Sequence, residues 1–583
     1  MKALKYLNKY FVKYKLRLLF GLVITVLSKI LAVQIPSFIK KIINAVEDYS
    51  KGKTNDIDAV KEILLDNILL IIGAAILSGI LTFLMRQTLI VMSRLIEFDL
   101  KNEIFQQYEK LSLSFYKKNR TGDLMNRISE DVGKVRMYFG PAIMYTINMI
   151  MLFTVALTKM ISIDATLTLY TLLPLPILSI SIYLLSRIIH KRSTLVQEYL
   201  SKLTTLAQET FSGIHVIKAY AIENQTVQDF DVLAEESKEK NISLYKAQAL
   251  FFPLMILLIG ISNIMVIYIG GMRYINGQID NFGIIAEFIL YVNMLTWPVA
   301  VVGWVTSIVQ QAEASQKRIN EFLQEEPSIQ NTNETPTEIA GEIVFKNVSF
   351  IYEDTNITAL NKVNFTINKG ETIAIMGKTG SGKTTIANLI ARLYDVSDGE
   401  ILIDHKPIKK VNLESLREQI GFVPQDGFLF SETIKDNIRF GKYDASDEEV
   451  ITAAKNAHIH HNIADFKKGY ETMVGERGVT LSGGQKQRIS IARAIIGAPK
   501  VLIFDDCLSA VDTETEEAIL SNLKQISEEV TTVIISHRIS SVKNASTILV
   551  LEDGKLIQQG THTELKNKKG YYQDIYKQQL EEA

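Results

Sequence analysis

Apolar positions fall into two regimes along this chain. Up to residue 310 they run in long blocks broken by few charges. From residue 341 onward they come as short runs separated by polar, glycine-containing segments. Six of the early blocks are long enough to cross a bilayer, which takes about 20 residues each. They lie near 17–41, 63–92, 139–163, 165–190, 247–272 and 283–310. The third and fourth are separated only by the polar break around Ser162-Ile163-Asp164, which predicts a tight hairpin. The later runs, such as Thr372-Ile373-Ala374-Ile375-Met376 and Val501-Leu502-Ile503-Phe504-Asp505, predict buried strands of an α/β domain. Glu342-Ile343-Val344-Phe345 and Val348-Ser349-Phe350 alternate and predict an edge hairpin ending at Tyr352.

The connections are lopsided. After the second and fourth spans roughly 45 to 55 residues of helical composition pass before the next, enough for helices projecting tens of Å beyond the bilayer. Lys2, Lys5, Lys9, Lys13, Lys15 and Arg17 precede the first span with no acidic residue among them, which places the N-terminus in the cytosol. Six crossings then return the C-terminal half to the cytosol as well. The first apolar run is too long for a signal-peptide core and lacks a small-residue cleavage site, so it is expected to be retained. With that span beginning near residue 17, no peptidase domain is expected ahead of it. The polar, proline-containing stretch 326–340 predicts a linker between a membrane domain, 1–325, and a C-terminal domain, 341–583. Lys29 falls near the middle of the first span, where a charge either lines a substrate path or snorkels to the interface. Arg86 and Glu287 lie nearer span ends and are expected at the interface.

A length of 583 residues suggests three or four compact units. The net charge of −1 argues against nucleic-acid binding. A single cysteine, Cys507, excludes an internal disulfide and fits a reducing compartment.

Within the C-terminal half, Gly377-Lys378-Thr379-Gly380-Ser381-Gly382-Lys383-Thr384 has the spacing of a phosphate-binding loop. In such a loop the glycines let backbone N–H groups converge on phosphate. The lysine neutralises β/γ oxygens, and the threonine hydroxyl ligates Mg²⁺. Thr385 and the apolar residues after it predict a helix whose N-terminus faces the phosphates. About a hundred residues on comes Leu481-Ser482-Gly483-Gly484-Gln485. Together the two motifs imply ATP as ligand. Asp505, at the end of an apolar strand, is the candidate metal carboxylate, and Asp506 the candidate to orient the attacking water. His537 ends another apolar run and would reach the γ-phosphate. Gln425 would contact Mg²⁺ or water, and Tyr352 would stack on adenine.

In the order of these motifs the chain resembles the ATP-binding cassette (ABC) superfamily, and over essentially its full length it resembles an exporter half-transporter. That resemblance implies an all-α six-helix transmembrane domain with long cytosolic helical extensions, fused to an α/β P-loop cassette. It makes Tyr352 the A-loop residue, Gly377–Thr384 the Walker A loop, Gln425 the Q-loop and Asp505 the Walker B aspartate. Ser509-Ala510-Val511-Asp512 becomes the D-loop and His537 the switch histidine. Val474-Gly475-Glu476-Arg477-Gly478 matches the segment preceding the exporter signature. Thr121-Gly122-Asp123-Leu124 and Gly213-Ile214-His215-Val216-Ile217-Lys218-Ala219 resemble loops that carry coupling helices. In this family the LSGGQ donors serve an ATP held by the opposite cassette, so one cassette per chain implies a dimer.

One position departs from the family. Glutamate usually follows the Walker B aspartate, and here Asp506 stands instead. Its carboxylate would sit roughly 1–1.5 Å further from the water, and 1 Å of misplacement costs about a hundredfold. Family heterodimers pair such a half with a partner that keeps glutamate but carries an altered signature. Asp506 beside an intact LSGGQ therefore favours a heterodimer over a homodimer. The expected activity is ATP-driven export or flipping of a hydrophobic or amphipathic substrate across the cytoplasmic membrane. The alternative is an ATP-binding regulatory or gating subunit with little hydrolysis of its own. A soluble cassette ATPase of DNA repair or translation is excluded by the six spans, and the substrate is not named by the sequence.

Overall fold

The structure, a computed structural model, describes residues 2–53, 55–475, 478, 481–507, 513–526 and 530–581. It divides into two compact units. One comprises Met1–Glu109 and Gly122–Glu325, the other Lys110–Thr121 and Glu326–Ala583. The stretch 326–340 thus groups with the second unit, as does a short piece from the midst of the apolar half.

The first unit is helical. Among the described residues, five helices are long and apolar enough to cross a membrane: Lys15–Ser50, Ile57–Lys110, Thr121–Ile163, Glu223–Ile275 and Gly283–Leu323. The segment 165–190 forms Ala165–Leu172 and the start of Pro174–Ser212; Leu173 between them keeps helical dihedrals, and the interruption comes with Pro174, which has no N–H to donate to the preceding turn. The sharp hairpin has a cause in Asp164. Its carboxylate accepts the Leu167 N–H at 2.8 Å and pairs with Arg273 at 3.1 Å. Ile57–Lys110 has 54 residues and, at 1.5 Å rise each, runs about 80 Å, well beyond the thickness of a bilayer. Leu89, Met92, Ile96 and Leu100 along it pack with Val132, Val135, Phe139, Ala312 and Ile319.

Buried charges in this unit are paired. Asp131 accepts from Ser315 at 2.8 Å and pairs with Arg318. Glu287, expected at the interface, is instead fully buried. Ser37 and Tyr291 donate to it at 2.6 and 2.9 Å, and Lys40 lies at 2.8 Å. One carboxylate oxygen takes both hydrogen bonds, and the other faces the Lys40 ammonium. Arg86 is exposed and lines a cavity that opens among the helices.

The second unit is built on two sheets. Strands β1 (Ile343–Tyr352), β2 (Ile357–Ile367), β4 (Asp398–Ile403) and β5 (Lys406–Pro407) form an antiparallel sheet in the order β2-β1-β4-β5. The two alternating runs are therefore not the arms of an edge hairpin: both lie in the one strand β1, an inner strand that itself pairs with the following edge strand β2. Ile343, Phe345, Val348 and Phe350 enter the core, and both its backbone edges are paired, with β2 and with β4. The second sheet runs β10-β9-β3-β8-β7-β6. Its members are β3 (Thr372–Gly377), β6 (Ile420–Val423), β7 (Val501–Asp505), β8 (Thr531–Ile535), β9 (Thr547–Glu552) and β10 (Lys555–Gly560). All are parallel except β10, which pairs antiparallel with β9. Val501 and Ile503 face one core, while Leu502 and Phe504 face another on the opposite side. Burial on both faces is why these strands read as continuous apolar runs. The carboxyl ends of β3, β8 and β7 lie side by side, the usual place for a ligand in such a sheet.

Candidate functional site

The loop after β3 is shaped by its glycines. Gly377 has φ 150°, and a Cβ there would lie 2.2 Å from the Leu551 carbonyl oxygen. Gly382 has φ 100°, and a Cβ would lie 2.4 Å from the Ala359 carbonyl oxygen. Neither position admits a side chain. Gly382 caps the helix Lys383–Ile390, so the loop leads straight into a helix N-terminus. Lys383 is buried and folds back over the loop, donating to the Gly377 and Lys378 carbonyls at 2.9 Å each. Burial holds its ammonium below the usual lysine range, against the pull of Asp506 and Asp505. The Ser381 hydroxyl is buried without a hydrogen-bond partner. Thr379 and Gly380 are exposed, and Lys378 turns away to pair with Glu552 at 2.9 Å.

Acidic groups meet this loop from β7. The Thr384 hydroxyl donates to Asp505 at 3.0 Å. Burial raises the Asp505 carboxyl above the usual range, opposed by that hydrogen bond. Asp506 adopts φ 46°, a left-handed conformation that aspartate tolerates better than most residues, and its N–H donates to Ile535 at 2.9 Å. Its carboxyl is also raised by burial, with His537, Lys383 and Arg538 acting against the shift. His537 is half-buried two residues past β8 and held below the usual histidine range by burial and by Lys383. Lys383, Thr384, Asp505, Asp506 and His537 thus converge from three strand ends. Hard oxygen donors beside an orphaned hydroxyl and a buried cation suit a phosphate with its divalent metal. Gln425, after β6, has an exposed side chain.

Tyr352 closes β1. Its hydroxyl bonds the Thr385 hydroxyl at 3.1 Å, and Phe350 and Tyr394 pack edge-on against its ring at 4.8 and 5.6 Å. The Lys117 ammonium stands 4.3 Å from the ring centroid. Lys117 escaped the sequence reading because nothing in its surroundings marks it. It lies far upstream, in the short segment 110–121, and only folding brings it to Tyr352.

The signature motif starts a helix. Leu481 is buried, and Ser482 caps Gly483–Ile495 in a reciprocal box: the Gln485 side chain accepts the Ser482 N–H at 3.0 Å and the Ser482 hydroxyl accepts the Gln485 N–H at 3.3 Å. Ser482 and Gly483 are exposed, while Gly484 and Gln485 are half-buried. Ser509–Asp512 lies outside the described residues, as do Glu476 and Arg477.

The family models for an ABC transporter transmembrane region and for an ABC transporter match residues 18–299 and 360–509 respectively. A probable multidrug resistance ABC transporter ATP-binding/permease protein of Bacillus subtilis, YheI, is 36% identical over 580 residues, 99% of this chain and 97% of that one. The chain belongs to the ABC transporter family. The multidrug resistance-like ATP-binding protein MdlA of Escherichia coli is 36% identical over 522 residues, 88% of each chain. A bacterial Atm1-family ABC exporter solved with ATP bound superposes with a TM-score of 0.79 at 27% identity, covering 97% of this chain and 98% of that one. As an ABC exporter half, the chain is a multi-pass membrane protein whose cassette binds ATP and couples its hydrolysis to export. Half-transporters of this kind work as dimers.

Proposed function

We propose that this chain is the slow-hydrolysing half of a heterodimeric exporter of amphipathic compounds in the cytoplasmic membrane. The observation that carries the ATPase assignment is the convergence of Lys383, Thr384 and Asp505 on one loop mouth. In that reading Lys383 exchanges its two backbone acceptors for β- and γ-phosphate oxygens, and the loop N–H groups and the helix behind Gly382 hold the remaining charge. Thr384 and Asp505 would hold magnesium, with Gln425 joining them; the ion supplies neutralisation of charge on the transferred phosphoryl. Asp506 orients the water that attacks the γ-phosphorus, His537 contacts the γ-phosphate, and Tyr352 carries the adenine. The exposed Ser482 and Gly483 N–H groups serve a nucleotide on the partner cassette.

Two further observations support the arrangement. Lys9 and Lys13 of the basic N-terminal segment pair with Glu103 and Asp99, on the stretch of Ile57–Lys110 beyond the predicted second span. That stretch leads directly into 110–121, which groups with the cassette, in keeping with cytosolic termini. The helix Ile214–Tyr220 buries none of its residues, with Val216 58% and Tyr220 76% exposed. Large apolar side chains left uncovered outside the predicted spans fit a docking surface for the second half-transporter. We take 165–190, fourth in chain order, as the crossing that completes six with the five long helices.

Asp506 also gives some support to a gating subunit that uses ATP binding alone. Reconstitution with a candidate partner half separates the two. The exporter reading expects ATPase activity together with vanadate-sensitive accumulation of an amphipathic probe, and ion conductance without turnover would reject it.

A further inference from the structure

A cavity of about 240 Å³ opens among the membrane helices, with Lys29 from Lys15–Ser50 and Arg86 from Ile57–Lys110 on its wall. The rest of the lining is neutral: methionines from three helices, Tyr145, Asn148 and Trp297 among them, and no carboxylate. Neither Lys29 nor Arg86 makes an ion pair or hydrogen bond among the described residues. Elsewhere in this unit buried charge is matched, as at Glu287 with Lys40, Asp164 with Arg273 and Asp131 with Arg318. An isolated cation within a membrane costs at least about 2.5 kcal/mol, and two of one sign in the same cavity repel each other besides. A fold that pairs its buried Glu287 and Asp131 and leaves these two, half-buried Lys29 and exposed Arg86, facing shared space has kept them for something that arrives from outside.

We propose that this cavity is an acid-binding subsite, and that the exporter prefers amphiphiles carrying a carboxylate, phosphate or sulfate over neutral or cationic ones. The inference rests on the export reading above. Arg86 offers a planar fork to two oxygens of the acid, while Lys29 adds a compact charge. Met85, Met144, Met149 and Met294 form a polarisable, adaptable wall for the apolar body. Trp297, 63% exposed, is free to cover it. The volume suits an acidic head and the start of a chain, with the remainder extending beyond this half-transporter.

The test uses the assembled transporter in proteoliposomes and matched fluorescent probes. A water-soluble acid dye is compared with its methyl ester and with a cationic dye of similar size, and labelled phosphatidic acid with labelled diacylglycerol. We expect ATP-dependent movement of the acid to exceed that of its neutral match at least tenfold. A rise in the lipid pair, the dye pair or both identifies the source of the acid. Lys29→Gln with Arg86→Gln should bring the acid-to-ester ratio close to one, whereas Lys29→Arg and Arg86→Lys should preserve it. Because a ratio is read, a loss of folded protein does not imitate the effect. Equal movement of acid and ester by the unaltered transporter, or a ratio unmoved in the double variant, overturns the acid subsite and leaves export standing. Absence of ATP-dependent movement for all probes overturns the export reading, and the subsite with it.

Discussion

The Lys383 ammonium ties down the Gly377 and Lys378 carbonyls, and in the proposed site it exchanges them for phosphate oxygens. Lys383→Ala removes the fixed cation of the loop, and charge-assisted contacts of this kind are roughly twice as strong as neutral ones. Tight ATP binding at this chain's own site should be lost, as read by nucleotide photolabelling of the purified transporter; labelling at wild-type affinity would mean the loop is misassigned. Asp506 is a subtler case. Its φ of 46° is one that aspartate accepts readily, so a glutamate there gains reach while accepting some backbone strain. We expect Asp506→Glu to raise ATP turnover. The rise should be modest where the partner carries a degenerate signature, and tenfold or more, about 1.4 kcal/mol of barrier, where two copies of this chain face each other. Comparing the rates of the chain alone and with its partner decides between them. A brisk homodimer unimproved by glutamate would show that aspartate already suffices.

Among elements, the signature helix makes the cleanest prediction. Ser482 caps Gly483–Ile495, and loss of a serine cap costs about 1 kcal/mol, which leaves a cassette of this size folded. Ser482→Phe should therefore leave ATP binding at this chain's own loop within about twofold. It should lower hydrolysis by the assembled transporter about a hundredfold, the scale expected for a lost preorganised donor. Equal loss of both in parallel binding and turnover assays would count against a nucleotide shared across two cassettes. How far the sequence announces the structure also varies by element. β3, β7 and β8 announced themselves because burial on both faces leaves no polar alternation. β1 misled, since its alternation reports a half-buried face and is silent on how many neighbours its edges have. Glu287 misled for the complementary reason: Ser37, Lys40 and Tyr291, which make its burial tolerable, come from another helix and from the next turn of its own. The phosphate loop and signature were legible because a fixed local spacing is their mechanism. Lys117 over Tyr352, and Lys29 and Arg86 around one cavity, were not, because long-range packing makes those sites.

For the whole molecule, the uncovered helix Ile214–Tyr220 is the place where a second chain should matter. Tyr220→Glu puts a charge on a 76% exposed aromatic and should leave this chain's membrane insertion and nucleotide labelling intact. ATP-dependent probe movement in vesicles should fall at least tenfold, since burying an unpaired carboxylate in an interface is costly; unchanged movement would show that nothing docks there. The placement of 110–121 has a different bearing. Because Lys117 reaches the Tyr352 ring, and the Ser112 hydroxyl bonds that of Ser328 at 2.6 Å, the cassette's fold includes residues from far upstream. A fragment cut at residue 326 or 341 would lack them. With Tyr352 carrying the base as proposed, affinities measured on such a fragment would describe a pocket missing one wall, and comparisons of adenine with guanine nucleotides are the ones most exposed to that error.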